Sequence, residues 1–148
     1  TDASGENPAA AASVGAANQQ QAQNDYDAAF KALRGGDFVT ASRGFRAFID
    51  QYPGNALTPN AYYWLGESYY ITQNYPVALQ TFQKLLQLYP DNAKSSGALL
   101  KVGYCQYELQ RPDQATATLQ SVIAKYPGSD VAKLAQRRLQ DIQLQSMN

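Results

Sequence analysis

Between Pro59 and Asn92 the apolar residues recur at helical rather than alternating spacing. Leu65, Gly66 and Tyr69 share one face of a first helix, and Ala78, Phe82 and Leu85 share one face of a second. The two stretches break at Gln73-Asn74, and the unit ends at Tyr89-Pro90-Asp91-Asn92. Small residues, Gly66 and Ala78, stand where two helices would have to approach closely, and Tyr69, Phe82 and Leu85 would fill the space between them. The same design recurs at an interval of 37 residues. Upstream the matching positions are Ala29, Ala41, Phe45, Phe48 and Tyr52-Pro53; downstream they are Gly103, Ala115, Leu119, Val122 and Tyr126-Pro127. Matched small and large positions at a fixed period predict a solenoid, because each unit leaves an apolar face that only the next can bury.

The helix boundaries follow from local signals. A first helix, about 24–34, ends at Gly35-Gly36, a pair suited to a left-handed exit. Asp37 is the expected N-cap of a second helix, Phe38–Gln51. The third starts with Thr58 as cap and Pro59 at its first position, and runs to about Thr72. Pro76 opens the fourth, which reaches Leu88; the fifth spans about Lys94–Leu109; Pro112 opens the sixth, ending near Lys125. Ser129 caps a last helix, Asp130–Gln145, where Leu139 takes the place of Leu65 but Gln140 replaces the glycine. A polar last helix is what closes a solenoid end. The expected architecture is all-α: three helix pairs, about residues 22–55, 59–92 and 96–129, and a capping helix 130–145.

Residues 1–24 are rich in Ala, Gln, Asn and Gly and read as a low-complexity linker preceding a domain at 25–148. Asn7-Pro8 before four alanines is nevertheless a helix-start signal, and Gly15 is the only breaker before Tyr26, so the alternative is a backward extension of the first helix. The chain begins at Thr1 without a leader pattern and reads as a processed or truncated piece.

Lys plus Arg and Asp plus Glu number 12 each, so the net charge is zero. That argues against general binding to nucleic acid or an anionic membrane, which rests on a basic surface. No apolar run approaches the roughly 18 residues of a membrane span. With no histidine, the commonest general base and metal ligand is missing. There is no glycine-rich phosphate loop and no metal-ligand cluster, so neither enzyme activity nor a cofactor or metal is expected. Cys105, the single cysteine, reads as a small apolar residue of the fifth helix.

The pattern Tyr62, Leu65-Gly66, Tyr69, Ala78, Phe82 and Pro90 resembles the tetratricopeptide repeat (TPR), with Leu85 in place of the usual small residue. The period exceeds the usual length of about 34, which predicts a longer connection from each B helix to the next A helix. The resemblance implies a right-handed superhelical solenoid whose concave face, lined by the A helices, binds protein segments. The family's concave positions map onto Gln23, Tyr26, Phe30 and Leu33; onto Asn60, Tyr63, Glu67 and Tyr70; and onto Gly97, Leu100, Tyr104 and Tyr107. Trp64 and Lys101 occupy the neighbouring sixth position. Tyrosines and tryptophan dominate binding hot spots, so the candidate partner-binding set is Tyr26, Phe30, Asn60, Tyr63, Trp64, Glu67, Tyr70, Leu100, Lys101, Tyr104 and Tyr107. The carboxylate-clamp type of TPR places Lys and Asn where this chain has Tyr63 and Glu67, so that chemistry is not expected.

Within TPR proteins, AYYWLGESYY (61–70), the three Tyr-Pro pairs and SDVAKLAQRRL (129–139) resemble the periplasmic Tol-Pal system family YbgF, also called CpoB. In that family a signal peptide, a trimerising coiled coil and a low-complexity linker precede the TPR domain. The resemblance implies a non-catalytic periplasmic module that binds TolA and links outer-membrane constriction to septal peptidoglycan synthesis by a penicillin-binding protein during division. The alternatives are a TPR scaffold of an outer-membrane assembly lipoprotein, or a TPR appendage of a larger enzyme. With zero net charge, partner affinity is expected to depend only moderately on salt.

Overall fold

The computed structural model describes residue 5 and residues 7–148; the remaining part of the expected linker, 1–4 and 6, lies outside the described residues. The described chain is all-α, with helices α1 (Pro8–Arg34), α2 (Phe38–Gln51), α3 (Thr58–Ile71), α4 (Tyr75–Leu88), α5 (Ser95–Glu108), α6 (Pro112–Lys125) and α7 (Asp130–Ser146). Each helix packs on its neighbours in chain order, and α1 also touches α3 and α5 touches α7, so the odd-numbered A helices form one layer of the stack. This is a solenoid of three helix pairs closed by α7.

Helices α2 and α6 begin and end where their caps and prolines predict. Asp37 accepts from the Thr40 backbone N–H at 3.1 Å, and Ser129 accepts from that of Ala132 at 3.1 Å. Of the two readings of residues before Tyr26, the backward extension holds: helix α1 starts at Pro8, at the Asn7-Pro8 signal and not near Asn24, with the Asn7 side chain accepting from Ala9 at 3.1 Å. Alanine and glutamine are strong helix formers, Gly15 costs only about 1 kcal/mol, and Gln20–Asn24, Gln21–Asp25 and Gln23–Asp27 bonds lace the surface four residues apart. The apolar pattern reports where packing starts: among the described residues the first buried side chain is Ala22. Thr58, in turn, is not a cap; α3 has no side-chain cap bond, and the Thr58 hydroxyl donates to the Tyr52 carbonyl.

That bond belongs to a repeated device. Proline disfavours the helical region for the residue before it, and Tyr52, Tyr89 and Tyr126 sit at φ of −128°, −135° and −126°, ending α2, α4 and α6. Their carbonyls, released from the helix, each accept from a hydroxyl at or just before the start of the next A helix: Thr58, Ser95 and Ser129. The connections at 52–57 and 89–94 are the longer ones that the period predicts, whereas 126–129 is shorter.

The turns inside each pair are also identical. Gly36, Gln73 and Gln110 have φ of 81°, 65° and 61°. Behind each, two backbone bonds close the helix, Asp37 to Ala32 with Gly36 to Leu33 in the first pair, Asn74 to Tyr69 with Gln73 to Tyr70 in the second, and Arg111 to Gln106 with Gln110 to Tyr107 in the third. This is the paired-bond left-handed helix exit, in which glycine is the unstrained residue. Two of the three exits carry glutamine.

Three packed clusters follow the pairs: Ala29, Ala41, Phe45, Phe48 and Leu65; Ala78, Phe82, Leu85, Val102 and Cys105; and Leu100, Ala115, Leu119, Val122 and Ile142. A Cβ added at Gly66 would lie 2.7 Å from Phe82 ring atoms, and one at Gly103 would lie 2.8 Å from Leu119. In the first pair the glycine has moved to the other helix, where a Cβ at Gly44 would lie 2.9 Å from that of Ala29. On α7 the corresponding face is polar and exposed, with Gln136, Gln140 and Gln143 at the repeat positions of Tyr62, Gly66 and Tyr69, so the stack closes there. Among the described residues no helix is long and apolar enough to cross a membrane.

Gly66→Leu should therefore destabilise the fold by about 1–3 kcal/mol or more through overpacking against Phe82, even though leucine favours the isolated helix by about 1 kcal/mol; a lowered urea midpoint is the expected readout, and an unchanged one contradicts this packing. Gln73→Gly should act in the opposite sense, raising stability by about 1 kcal/mol through relief of left-handed strain, with Gly36→Gln as its mirror image, lowering the midpoint in the same assay.

Candidate interaction surface

The layer of A helices presents the candidate residues in fixed register, since Tyr26, Tyr63 and Leu100 occupy one repeat position, Phe30, Glu67 and Tyr104 another, and Tyr70 and Tyr107 a third. The structure divides them. The first set turns toward the core. Tyr26 meets Phe45 and Phe48 edge-on with centroids at 5.8 and 5.9 Å, and Tyr63 meets Phe82 at 5.7 Å. Leu100 is 4% exposed within the α5–α7 cluster, so its place in the candidate set is corrected: it is a packing residue. Burial raises the Tyr26 hydroxyl pKa, with neighbouring Asn60 and Trp64 opposing. Burial also pushes Tyr63 up to about 12, helped by the charge of Glu67.

The other candidates form a half-buried row that runs from helix to helix. Phe30 on α1 meets Trp64 on α3 edge-on at 5.2 Å. The Glu67 carboxylate on α3 lies 2.9 Å from the Lys101 ammonium on α5, each side chain 17% exposed, the one ion pair among the described residues. Glu67 Oε1 is buried, and the Lys101 ammonium is the charge that faces it. Tyr70 and Tyr104 tilt against each other at 6.4 Å. Burial pushes Tyr70 up to about 12, against the pull of the Arg138 charge, and raises Tyr104 in the same way. These hydroxyls are therefore neutral polar tips on apolar rings at any physiological pH.

Cations lie on the rings. Lys94 sits 5.1 Å from the Tyr63 centroid and 4.8 Å from that of Trp64; Lys101 sits 4.7 Å from Tyr70 and 5.5 Å from Tyr104; Arg138 sits 4.1 Å from Tyr104 and 5.5 Å from Tyr107. At the other end Arg34 covers Phe30 at 5.0 Å. The Tyr107 hydroxyl bonds to the Gln145 side chain on α7. The rings thus stiffen the stack and remain half-exposed, with a cavity of about 570 Å³ opening beside Tyr107, Glu108, Pro112 and Ile142. Gln23 is tied to Asp27, Leu33 packs into the first cluster, and Gly97 lies under the Tyr63 ring, where a Cβ would come within 3.0 Å.

Arg34, Lys94 and Arg138 belong to this row and were not in the candidate set. Arg138 was legible, because it follows Lys101 by the same interval at which Lys101 follows Trp64. Lys94 was not, because it stands before α5 and reaches back to rings of α3. Cys105 lies apart from the row, fully buried, its thiol pushed up to about 12 by burial, which leaves it a small apolar filler. Among the described residues no three His, Cys, Asp or Glu side chains gather as metal ligands.

Comparison with known proteins now bears on this surface. A stretch of 42 residues is 50% identical to the cell division coordinator CpoB of Pseudomonas putida; it takes in 28% of this chain and only 16% of that protein. The fold matches solved TPR domains: yeast Sti1 TPR2B in complex with an Hsp70 segment (TM-score 0.72, 14% identity, 85% of this chain and 98% of that one), PcrH of Pseudomonas aeruginosa (0.72, 16%, 84% and 92%), and the first TPR of Spaghetti (RPAP3) bound to an HSP90 peptide (0.70, 18%, 88% and 96%). These likenesses establish the TPR fold and agree with the resemblance to the TPR domain of the YbgF/CpoB family. A family model described as YfiO, outer membrane lipoprotein, matches residues 18–145, almost the whole folded stack. The chain is therefore an all-α TPR-type solenoid that belongs to the YfiO outer membrane lipoprotein family.

Proposed function

We propose that this chain is a non-catalytic protein-interaction module of the Gram-negative cell envelope, acting in the periplasm within the Tol-Pal system. In this reading it binds TolA and coordinates outer-membrane constriction with septal peptidoglycan synthesis by a penicillin-binding protein at division. The observation that carries the interaction role is the half-buried row of rings and cations across α1, α3, α5 and α7. Such rings offer large contact area at low entropic cost, and a curved stack of A helices presents them to an extended or helical segment. The likeness to a cell division coordinator supports the division role.

The centre of the site would be Tyr70, Glu67, Tyr104 and Tyr107, with Trp64, Lys101 and Phe30 around it and Asn60 at its margin; Tyr26 and Tyr63 support it from the core side. A second reading, a scaffold in an outer-membrane assembly lipoprotein, draws support from the family model spanning residues 18–145.

Hot-spot truncations typically cost about 2 kcal/mol or more. Tyr70→Ala combined with Tyr107→Ala should therefore weaken the binding of a TolA fragment by about tenfold or more. The double variant should keep its helical circular dichroism, because Phe45, Phe82 and Leu119 lie in the cores and not on this row. Full affinity in the folded double variant would move the site to the exposed B-helix side, around Gln80, Lys84 and Gln87. No TolA binding by the unaltered chain would favour the second reading.

A further inference from the structure

The cations on the ring faces differ in one respect that decides what can cover them. Lys101 already has a carboxylate, Glu67 at 2.9 Å. Lys94 and Arg138 have none: among the described residues neither makes an ion pair. Glu108 and Asp141 lie close enough to influence Tyr70 and Tyr104, yet neither closes on Arg138. Each of the two cations is held instead by a pair of rings, Lys94 by Tyr63 and Trp64, and Arg138 by Tyr104 and Tyr107. Ring faces hold a cation through their quadrupole but leave its charge uncompensated.

A partner segment that packs on these rings must cover the cations with them. A neutral apolar segment would strand two charges away from water, which is strongly unfavourable. A basic segment would add repulsion. A segment carrying carboxylates compensates both, and arginine adds a planar two-point geometry suited to carboxylate.

Resting on the reading of the A-helix row as the interaction surface, we propose that its partner is an acidic amphipathic segment whose carboxylates pair with Lys94 and Arg138 while its apolar side packs on Tyr70, Tyr104 and Tyr107. This arrangement differs from the carboxylate-clamp pattern, since the cations stand at the repeat's sixth position and before α5, and the fifth and ninth positions of α3 hold Tyr63 and Glu67. The zero net charge of the chain does not reveal it, because a balanced total is blind to which cations stand without an ion pair. Binding should then be distinctly salt-sensitive, against the moderate dependence that net charge alone suggests.

The test uses the full chain and two synthetic peptides of about 14 residues, one alternating leucine pairs with glutamate pairs and the other with lysine pairs. The glutamate peptide should bind about tenfold tighter or better, and should lose about fivefold or more between about 50 and 300 mM salt. Lys94→Gln with Arg138→Gln should abolish that preference, while Arg138→Lys, which keeps the charge, should retain most of it. The salt series on the unaltered chain carries the test even if a variant unfolds. Equal affinity for the two peptides, or preference for lysine, overturns the proposal. A TolA fragment titrated into the same variants separates the two claims. If TolA binds and is lost in Tyr70→Ala/Tyr107→Ala but is unaffected by Lys94→Gln/Arg138→Gln, the interaction row stands and the acidic partner falls. If the glutamate preference holds and TolA does not bind, the acidic partner stands and the named partner falls.

Discussion

Everything in this molecule depends on how closely the two helices of a pair can approach. At Gly66 the Phe82 ring occupies the space where a Cβ would stand, and at Gly103 Leu119 does the same. The contact sets both the distance and the rotation of each A helix against its B helix. With every pair locked in the same way, equivalent residues of successive A helices come side by side. The row of rings and cations is a consequence of that register. The first pair shows that the constraint is on the gap and not on one residue, because there Ala29 on α1 is matched by Gly44 on α2.

The turns preserve this register from pair to pair. Inside each pair a left-handed residue and two backbone bonds reverse the chain, whether that residue is Gly36, Gln73 or Gln110. Between pairs, proline ends the B helix and a hydroxyl takes up the freed tyrosine carbonyl. The aromatic rings of these exits also reach back: the Tyr52 hydroxyl donates to Asp25 at 2.9 Å and that of Tyr89 to the Pro53 carbonyl at 3.3 Å. Turn chemistry thus contributes cross-repeat ties as well as direction changes.

On the A-helix side the same residues stiffen the stack and remain partly open. A cation on an aromatic face is worth about 0.5–1 kcal/mol where exposed, so Lys94, Lys101 and Arg138 each add a modest tie between neighbouring A helices. Their cost to the isolated chain is small because water still reaches them. The ties also hold the rings in place before any partner arrives, and preorganised side chains lose less entropy on binding. Stack rigidity and a recognition surface are therefore one set of contacts, with Arg138 extending it onto the helix that closes the solenoid.

The sequence by itself determined the repeat, the helix order and the packing face. Those features are local or periodic: proline and glycine signals, and small and large residues every 37 positions, from Ala29 to Gly66 to Gly103. Through the TPR resemblance, which implies which repeat positions line the A-helix face, it also pointed to most of the row: Phe30, Glu67, Tyr70, Tyr104 and Tyr107. Only the tertiary structure decided that Tyr26, Tyr63 and Leu100 turn toward the core, because the direction of a side chain at a groove edge depends on how its helix is rotated against two neighbours. Only it brought Lys94 onto Tyr63 and Trp64, because a loop side chain has no helical period to follow. The long start of α1 left no mark in the apolar pattern, because the described residues before Ala22 bury nothing and helix propensity without burial has no hydrophobic periodicity; only the local Asn7-Pro8 signal pointed to it.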